Sequence, residues 1–475
     1  MDMCYIMTTY EYIIVGAGPA GLSLAWILSK FSKSILITDS NPQIGGCHRI
    51  NRSNNNGLYQ THGPKIIGYY SNYIQILSEL GMNFNDLYQE FAFDITNIGN
   101  RKLYDYSLSE GLAFIISFFN LFTDNEYGSN ISMLDFMTYW RFNQTTIDYI
   151  NKLCILTDGR DMHDYSLREF LQLANKQALY KVYLPKFPND EILFPTWESK
   201  LVAQNITIMK NSSVTKLIPN GIIINNKTIS GTNIILAIPP RPLAQLLVAS
   251  GYSNAFNNDI SKWEPNYTYN NYLPFTLHWN TVLNLPKGTI FPTGVWNIAG
   301  FIISDITIFT DPRSKTVIEC AITTPDIVSP RLQKNAYSCT IDELVSEIYI
   351  QLKLTFPDLI YPTDYAHNLS RINNKWIDSD TAFFASVVDD KPAEFLKQDS
   401  AVIKNLYNVG CHNGYNIPAY PFTSLEGAIQ NSIALAHKLK PDSKNYYSII
   451  RPYELFDIIK LIIVIFVIIA CFIIV

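Results

Sequence analysis

The sequence has no long basic run, and its 475 residues include 36 lysines and arginines against 41 acidic residues. A formal net charge of −5 without a basic cluster argues against nucleic acid as a main partner. The seven cysteines show no C-x-x-C spacing, which argues against a zinc ribbon or a disulfide framework and favours a reducing compartment. We therefore expect no metal site, and the first apolar segment does not have the form of a secretory signal.

Long apolar runs are absent until the far end of the chain. Residues 461–475 are uniformly apolar, and together with Ile458, Ile459 and the single charge Lys460 they would form a helix of roughly 27 Å, close to the ~30 Å hydrocarbon core of a bilayer. A polar segment precedes them. We expect a linker at 441–455 and a C-terminal transmembrane helix at 456–475, with a membrane location and the body of the protein facing the cytosol. A buried terminal helix is the alternative.

The first fifty residues carry a glycine-rich turn between a strand and a helix. The β-branched run 12–15 is typical of a buried parallel strand, and Gly16-Ala17-Gly18-Pro19-Ala20-Gly21 follows it at once. Gly16 allows the tight turn, Gly18 lets the backbone approach a diphosphate, and Gly21 lets the helix pack closely on the strand. The helix start offers N–H groups and a positive dipole end to the phosphates, so this pattern predicts a dinucleotide site.

A second strand, at 34–38, ends at Asp39, eighteen residues after Gly21. An acidic side chain at the end of this strand accepts hydrogen bonds from the ribose hydroxyls of a bound dinucleotide. The strand, helix, second strand and terminal acid occur in the expected order, which makes the glycine pattern much more specific than it is alone.

A second glycine turn, Gly45-Gly46-Cys47-His48-Arg49, makes the pattern more specific still. The run from Ile13 to Arg49 resembles the start of the flavin-containing amine oxidase superfamily, which includes monoamine oxidase, protoporphyrinogen oxidase and phytoene desaturase. The resemblance implies FAD as the cofactor, with Gly45 and Gly46 near its diphosphate and ribityl chain. Cys47 stands where that superfamily usually has arginine, and Arg49 is expected to supply the charge instead.

Two later segments fit the same resemblance. The strands near 213–238 are similar to the return to the nucleotide domain, which places the backbone of Val214 at the adenine. Near the other end, Gly410 closes a strand, and Cys411 follows it where relatives often have an acidic residue. Thr423 and Glu426 have the spacing of a capping box that starts a helix. The resemblance implies that this helix points at the flavin, with Glu426, Gly427 and Ala428 among the cofactor-binding residues.

These segments predict an α/β protein with the Rossmann-like, two-dinucleotide-binding-domain FAD fold and a mixed α+β substrate domain. We expect the FAD-binding domain to be discontinuous, over 1–70, 196–249 and 401–440. The substrate domain would comprise 71–195 and 250–400.

The simplest function is an FAD-dependent oxidoreductase, in which a small-molecule substrate loses hydride to flavin N5 and oxygen reoxidises the flavin. In amine oxidases a lysine usually holds a water beside N5, yet the corresponding strand at 272–279 contains no lysine. His278 on this strand is a catalytic candidate, although a structural histidine is the more probable role. Ser424 stands where those enzymes have an aromatic ring.

Two alternatives stay open. His62-Gly63-Pro64-Lys65 resembles the segment near the flavin in UDP-galactopyranose mutase, where reduced flavin attacks a sugar, and this makes His62 and Lys65 further catalytic candidates. The other alternative is a membrane-anchored flavoprotein that has lost catalysis, motivated by the missing lysine and ring. The substrate, the oxidant and a homodimeric state are not determined by the sequence.

Overall fold

The structure is a computed structural model that describes residues 9–61, 67–91, 107–158, 161–256, 259–264, 268–269, 272–285, 289–290, 294–378, 383–384, 397–416 and 424–474. His62 and Lys65, two of the three catalytic candidates, lie outside the described residues, as does Thr423.

A mainly parallel sheet carries both glycine turns at the ends of its strands. Its strands are β1 (Thr9–Val15), β2 (Ile35–Thr38), β8 (Thr207–Met209), β9 (Val214–Ile218), β10 (Gly221–Ile224), β11 (Lys227–Leu236) and β23 (Leu406–Asn408). The order across the sheet is β8-β2-β1-β11-β10-β9, and β23 also pairs with β11. Strands β8, β2, β1, β11 and β23 are parallel, whereas β10 pairs antiparallel with both of its neighbours, β11 and β9. The predicted α/β, Rossmann-like fold is confirmed.

Helices cover both faces of this sheet, which explains why β1 is apolar without alternation. On one face, Ile14 packs in a cluster with α1 (Pro19–Leu28) and α12 (Leu425–Leu439). On the other face, Ile13 packs in a cluster with α9 (Pro240–Ser250). Both isoleucine side chains are fully buried.

A second, antiparallel sheet lies in the part of the chain expected to bind substrate. In spatial order it comprises β14 (Thr289–Ile290), β15 (Ala299–Ile302), β16 (Thr316–Ile322), β13 (Leu273–Trp279) and β19 (Asp364–Ala366). One face packs on α11 (Ile341–Lys353) through a stripe that includes Leu344, Ile348 and Leu352. Thr340 and Glu343 form a capping box at the start of this helix.

The remaining elements form a helical cluster and several short ladders. The helices are α2 (Ser71–Glu79), α3 (Phe84–Leu87), α4 (Leu108–Thr123), α5 (Met133–Tyr139), α6 (Gln144–Asp158), α7 (Leu167–Gln177), α8 (Leu193–Ala203), α10 (Ile260–Trp263) and α13 (Leu455–Ile474). The ladders pair β3 (Asn51–Arg52) with β4 (Tyr59–Gln60), β12 (Thr268–Tyr269) with β22 (Phe383–Phe384), β17 (Val328–Ser329) with β18 (Lys334–Asn335), and β20 (Leu369–Ile372) with β21 (Lys375–Asp378); β5 (Ile67–Gly68) and β6 (Tyr88–Phe91) flank β7 (Val182–Pro185). The domain boundaries stay a prediction.

The C-terminal helix differs from its expected role. In the described part of the chain, no helix is long and apolar enough to cross a membrane, so the expected C-terminal transmembrane helix is not supported. The first turn of α13 packs on the protein itself, because the Phe456 ring lies 4.8 Å from that of Phe118 and 5.3 Å from that of Phe122. The side chains of residues 461–469 are 46–69% exposed. Contact of this helix with a bilayer stays a prediction.

Two fully buried asparagines hold the segment that leads into α13. The Asn72 side chain exchanges two hydrogen bonds with the backbone of Ile450, both 2.8 Å long. The Asn175 side chain donates to the Glu454 carboxylate at 2.9 Å and accepts from the Phe456 N–H at 2.9 Å. Because each amide satisfies a donor and an acceptor on the segment, its path across the body is fixed.

We predict that Asn175→Ala lowers the free energy of unfolding by about 2 to 4 kcal/mol, because it leaves a buried carboxylate and a buried N–H without this partner. Urea unfolding followed by circular dichroism measures the change. Asn120→Ala is the matched control, since Asn120 is an exposed residue of α4, and its stability should stay close to that of the original protein. Equal stability of the two variants would contradict the role of Asn175.

Candidate functional site

The first glycine turn is a close contact between backbone segments. Gly16 has φ of +109°, and a Cβ atom on it would lie 2.3 Å from the carbonyl oxygen of Ala237, just after β11. A Cβ atom on Gly21 would lie 2.1 Å from the Gly16 carbonyl oxygen. No other residue fits either position, so the two glycines press α1 against the ends of β1 and β11.

The start of α1 has the features of an anion-binding helix N-terminus. Gly18 is its N-cap residue, no side chain caps the helix, Pro19 occupies the first turn, and that turn contains no acidic residue. A Cβ atom on Gly18 would meet only Gly46 Cα, at 3.7 Å. The N–H groups and the positive dipole end of α1 thus have no side-chain cap, and binding of a phosphate there stays a prediction.

The second glycine turn packs directly against the first. Gly45 and Gly46 have φ of +115° and +54°, and the Gly45 N–H donates to the Ala17 carbonyl at 2.8 Å. The Arg49 guanidinium donates to the Gly46 carbonyl at 3.0 Å, which places its charge beside the turn. The structure thus brings together four of the predicted cofactor residues, Gly16, Gly18, Gly45 and Gly46, and it places Arg49 beside them at the carboxyl ends of the parallel strands.

Asp39 directly follows β2, at the same carboxyl end of the parallel strands. Its carboxylate accepts from the Ala17 N–H at 2.7 Å and from the Asn41 N–H at 2.8 Å, so its position is fixed relative to the first glycine turn. Its carbonyl accepts from the Ser212 N–H at 2.7 Å. Ser212 precedes the predicted adenine contact, Val214, by two residues, and Val214 itself begins β9 at the far edge of the sheet.

The segment around Gly410 is joined to the site through α12. Consecutive polar residues on the buried face of this helix make the connection: Asn431 donates to the Gly410 carbonyl at 2.7 Å, and Ser432 donates to the Ala20 carbonyl at 2.8 Å. Gly410 and the first turn of α1 are therefore neighbours. The sequence analysis did not identify Asn431 or Ser432; polar residues on the apolar stripe of a helix are the signal that would have found them.

The start of α12 differs from the predicted capping box. The N-cap residue is Ser424, whose hydroxyl accepts from the Gly427 N–H at 3.0 Å, and Ala428 is buried in the first turn. The Glu426 carboxylate accepts instead from the backbone N–H groups of Asn72, at 2.8 Å, and Tyr73, at 3.0 Å. Glu426 therefore caps α2 from a neighbouring helix. Burial raises the pKa of Glu426 to about 7, although these N–H bonds act in the opposite direction.

His278 is fully buried on β13. Its Nδ1 lies 2.9 Å from the Ser314 hydroxyl and its Nε2 lies 3.1 Å from the Tyr59 carbonyl. Burial lowers the pKa of His278 to about 4, so the ring is neutral at pH 7. Two bonded nitrogens and a neutral ring are typical of a structural histidine, and a catalytic role for His278 stays a prediction.

Comparison with known proteins agrees with this geometry. A family model described as an NAD(P)-binding Rossmann-like domain matches residues 14–80, the segment that holds both glycine turns and Asp39. No curated protein sequence matches the chain.

Solved structures extend the likeness to nearly the whole chain. An oxidoreductase from Methanosarcina mazei has a TM-score of 0.62 at 14% identity, covering 89% of this chain and 99% of its own. Putrescine oxidase bound to putrescine also reaches 0.62 at 14% identity, covering 91% and 99%. Cyclohexylamine oxidase from Brevibacterium oxydans reaches 0.62 at 11% identity, covering 91% and 100%. The chain shares the fold of these oxidases. The resemblance predicted from the glycine turns is confirmed at the level of the fold.

We predict different effects for alanine substitutions at Gly18 and Gly21. Gly18→Ala should leave the melting temperature almost unchanged, because its Cβ atom has room, yet lower FAD affinity by about tenfold or more by blocking the diphosphate. Gly21→Ala should lower the melting temperature, since its Cβ atom overlaps the Gly16 carbonyl. Thermal unfolding and FAD fluorescence titration measure both effects. Gly111→Ala in α4, where a Cβ atom meets nothing within 4 Å, is the control; unchanged FAD affinity in Gly18→Ala would refute the assignment.

Glu426 predicts a pH dependence. Its pKa rises from the usual 4.5 to about 7 on folding, so the stability linked to its protonated form is present at low pH and lost as pH rises through 7. At about 1.4 kcal/mol per pKa unit, the free energy of unfolding of the original protein relative to Glu426→Gln should fall by up to about 3 kcal/mol from about pH 5 to about pH 8. If the free energies of unfolding of the two proteins changed by the same amount with pH, this prediction would be wrong.

Proposed function

We propose that this protein is an FAD-dependent oxidoreductase of the amine oxidase type, in which a small-molecule substrate transfers a hydride to the flavin and oxygen is the final acceptor. The observation that carries the proposal is the meeting of two glycine turns at the uncapped start of α1. The oxidases with the same fold support it.

The residues present fit FAD better than a nicotinamide dinucleotide. A nicotinamide site needs the first glycine turn and Asp39, and both are also present in an FAD site. Here a second glycine turn, at Gly45 and Gly46, adds a further backbone contact for the diphosphate, and Arg49 adds positive charge beside it. The middle of α12 lies against the first turn of α1, since Ser432 bonds to Ala20, and Leu425, at the start of α12, lines a small cavity together with Pro19 and His48.

Each part of the chain has a distinct task in this proposal. Asp39 would hold the adenosine ribose, the start of α1 and the Gly45–Gly46 turn would hold the diphosphate, and the first turn of α12 would face the flavin end. When bound, the flavin supplies the hydride acceptance, and the protein supplies orientation, electrostatics and exclusion of water.

The strand β13 corresponds to the strand that carries a lysine in amine oxidases, and it has other polar residues instead. On β13, Thr276 donates to the Gln60 side chain on β4 at 3.1 Å, and both residues are buried. The strand is buried along its whole length and contains no lysine. The proposed oxidase therefore does not place its N5 water with a lysine of this strand.

Anaerobic mixing of the purified flavoprotein with amines, then with hydrophobic polyenes and porphyrinogens, tests the proposal. We expect one class to bleach the flavin absorbance band, and air to restore it with release of peroxide. Gly18→Ala, with weakened FAD binding, serves as the matched control and should show little bleaching. Bleaching by no class would count against the oxidoreductase.

Two other outcomes distinguish the alternatives. Conversion of UDP-sugars only after dithionite reduction would favour the mutase reading of the segment 62–65. A purified protein that neither carries nor binds FAD would favour a scaffold without catalysis.

A further inference from the structure

The helix α4 reverses the usual arrangement of a surface helix, in which apolar side chains face the core and polar ones face water. Five large apolar side chains of α4 are 44–81% exposed, and we call them the α4 face: Leu108, Leu112, Ile115, Ile116 and Phe119. Their spacing of three and four residues places them within a roughly 100° arc of the helix. Glu110 and Ser117 are buried on the opposite side, so two polar residues of α4 point inward while these apolar ones point outward.

Hydrogen bonds on its buried side hold α4 in this rotation. The Glu110 carboxylate accepts from the Ser107 N–H at 2.8 Å, as part of a capping box, and from the Asn143 N–H at 2.8 Å. Because these contacts fix Glu110 inside the protein, the α4 face is held toward the outside. Residues 111–123 contain no charged side chain. A contiguous apolar patch without charge marks a surface that contacts another protein or a lipid.

The α4 face is continuous with α13. Phe118 and Phe122 lie beside the α4 face on the same helix, and their rings lie 4.8 Å and 5.3 Å from the ring of Phe456 in the first turn of α13. Lys460 follows Phe456 by one helical turn, and from Leu461 to Ile474 the helix carries only apolar residues. The two helices therefore present one joined apolar surface.

The exposure of α13 favours lipid over a protein partner as the occupant of this surface. Residues 461–469 form more than two helical turns and point in every direction around the axis, yet all of their side chains are 46–69% exposed. A single protein surface covers one side of a helix, and the opposite side is then normally polar. Acyl chains surround a helix and bury all of these side chains at once.

Charged and amphipathic residues at the base of α13 match the level of lipid headgroups. The Arg451 guanidinium lies 3.5 Å from the Asp457 carboxylate, and Tyr453 beside them is exposed. Tyrosine is enriched at the boundary between lipid and water, and the long side chain of Lys460 can extend its ammonium to the same level. The boundary between polar and apolar surroundings therefore falls near Lys460.

The length of α13 beyond this boundary fits partial insertion. Residues 461–474 rise roughly 21 Å, which is less than the roughly 30 Å of a hydrocarbon core. Phe456 lies one turn, or roughly 6 Å, before Lys460, and Phe456 is the residue that contacts α4. The α4 face is therefore near the headgroups when α13 is in lipid, at the depth where apolar helix faces bind membrane surfaces.

We propose that the α4 face and α13 together bind a lipid bilayer from one side, with α13 inserted after Lys460 and the α4 face resting at the boundary between headgroups and acyl chains. Two apolar helices that are joined through Phe456 hold the body of the protein close to the membrane surface. Uncharged lipid is sufficient, because residues 111–123 and 461–474 carry no charge. The proposal does not rest on the flavin site, since the α4 face shares no residue with the glycine turns or α12.

Photochemical cross-linking of the full-length protein tests the proposal. Detergent is removed in the presence of phosphatidylcholine vesicles that contain a lipid with a diazirine in its acyl chain, the sample is irradiated, and mass spectrometry identifies the labelled peptides. We expect labelled acyl chains on peptides from both α4 and α13. Label on α13 alone would overturn the role of α4, and label on neither helix would overturn membrane binding.

A variant with a less apolar α4 face tests the same role by flotation. Ile115→Ser combined with Phe119→Ser should raise the lipid concentration at which half of the protein floats with phosphatidylcholine vesicles by about tenfold or more. Val202→Ser combined with Val248→Ser is the matched control, since these valines are 54% and 53% exposed in α8 and α9, as Ile115 and Phe119 are in α4. Its flotation should equal that of the original protein. Equal flotation of the two double variants would overturn the proposal.

A second copy of the chain is the competing occupant of the α4 face. Sedimentation in detergent measures the mass of the original protein and of the Ile115→Ser, Phe119→Ser variant. We expect the same mass for both, and a dimer that this variant separates would overturn the lipid assignment. If the variant fails to fold, as thermal unfolding would show, the cross-linking pattern of the original protein still decides. Absence of FAD from protein that binds vesicles would contradict the proposed function alone.

Discussion

The contact between the Gly16 carbonyl and Gly21 is the constraint on which the site depends. A Cβ atom on Gly21 would overlap that oxygen at 2.1 Å, so any side chain there pushes α1 away from the sheet. The close approach packs α1 against the ends of β1 and β11, and no side chain caps the first turn of this helix. The second glycine turn and α12 both dock on α1, and their positions follow from its position.

The site is assembled from three distant stretches of chain, and buried polar groups join them. Asn431 and Ser432 attach Gly410 and Ala20 to the same helix face, while Glu426 binds the start of α2. Apolar packing alone would allow α12 to slide or rotate on α1, because such contacts have little direction. Hydrogen bonds at fixed positions remove that freedom, so the parts of the candidate site keep one relative position.

Local patterns in the sequence were enough to predict the strands, the glycine turns and the fold. The run 12–15 and the acid at Asp39 depend on neighbours in sequence, and the structure places them as expected. Glu426 could not be assigned in this way, because its partner Asn72 lies more than 350 residues away and no periodicity connects them. For the C-terminal helix, composition predicted a transmembrane segment. Composition alone does not reveal that Phe456 packs against Phe118.

The hold of Asn72 and Asn175 on residues 450–456 has a consequence for the time course of folding. Both amides are buried in the body of the protein, yet partners that they bind there lie 378 and 281 residues later in the chain. Until the ribosome releases that segment, the nascent chain carries polar groups in its interior that only water can satisfy. The central sheet has the same dependence, since β23 joins β11 late. The body should therefore reach its final packing only after residues 450–456 have left the ribosome, and chaperones have that whole interval in which to act.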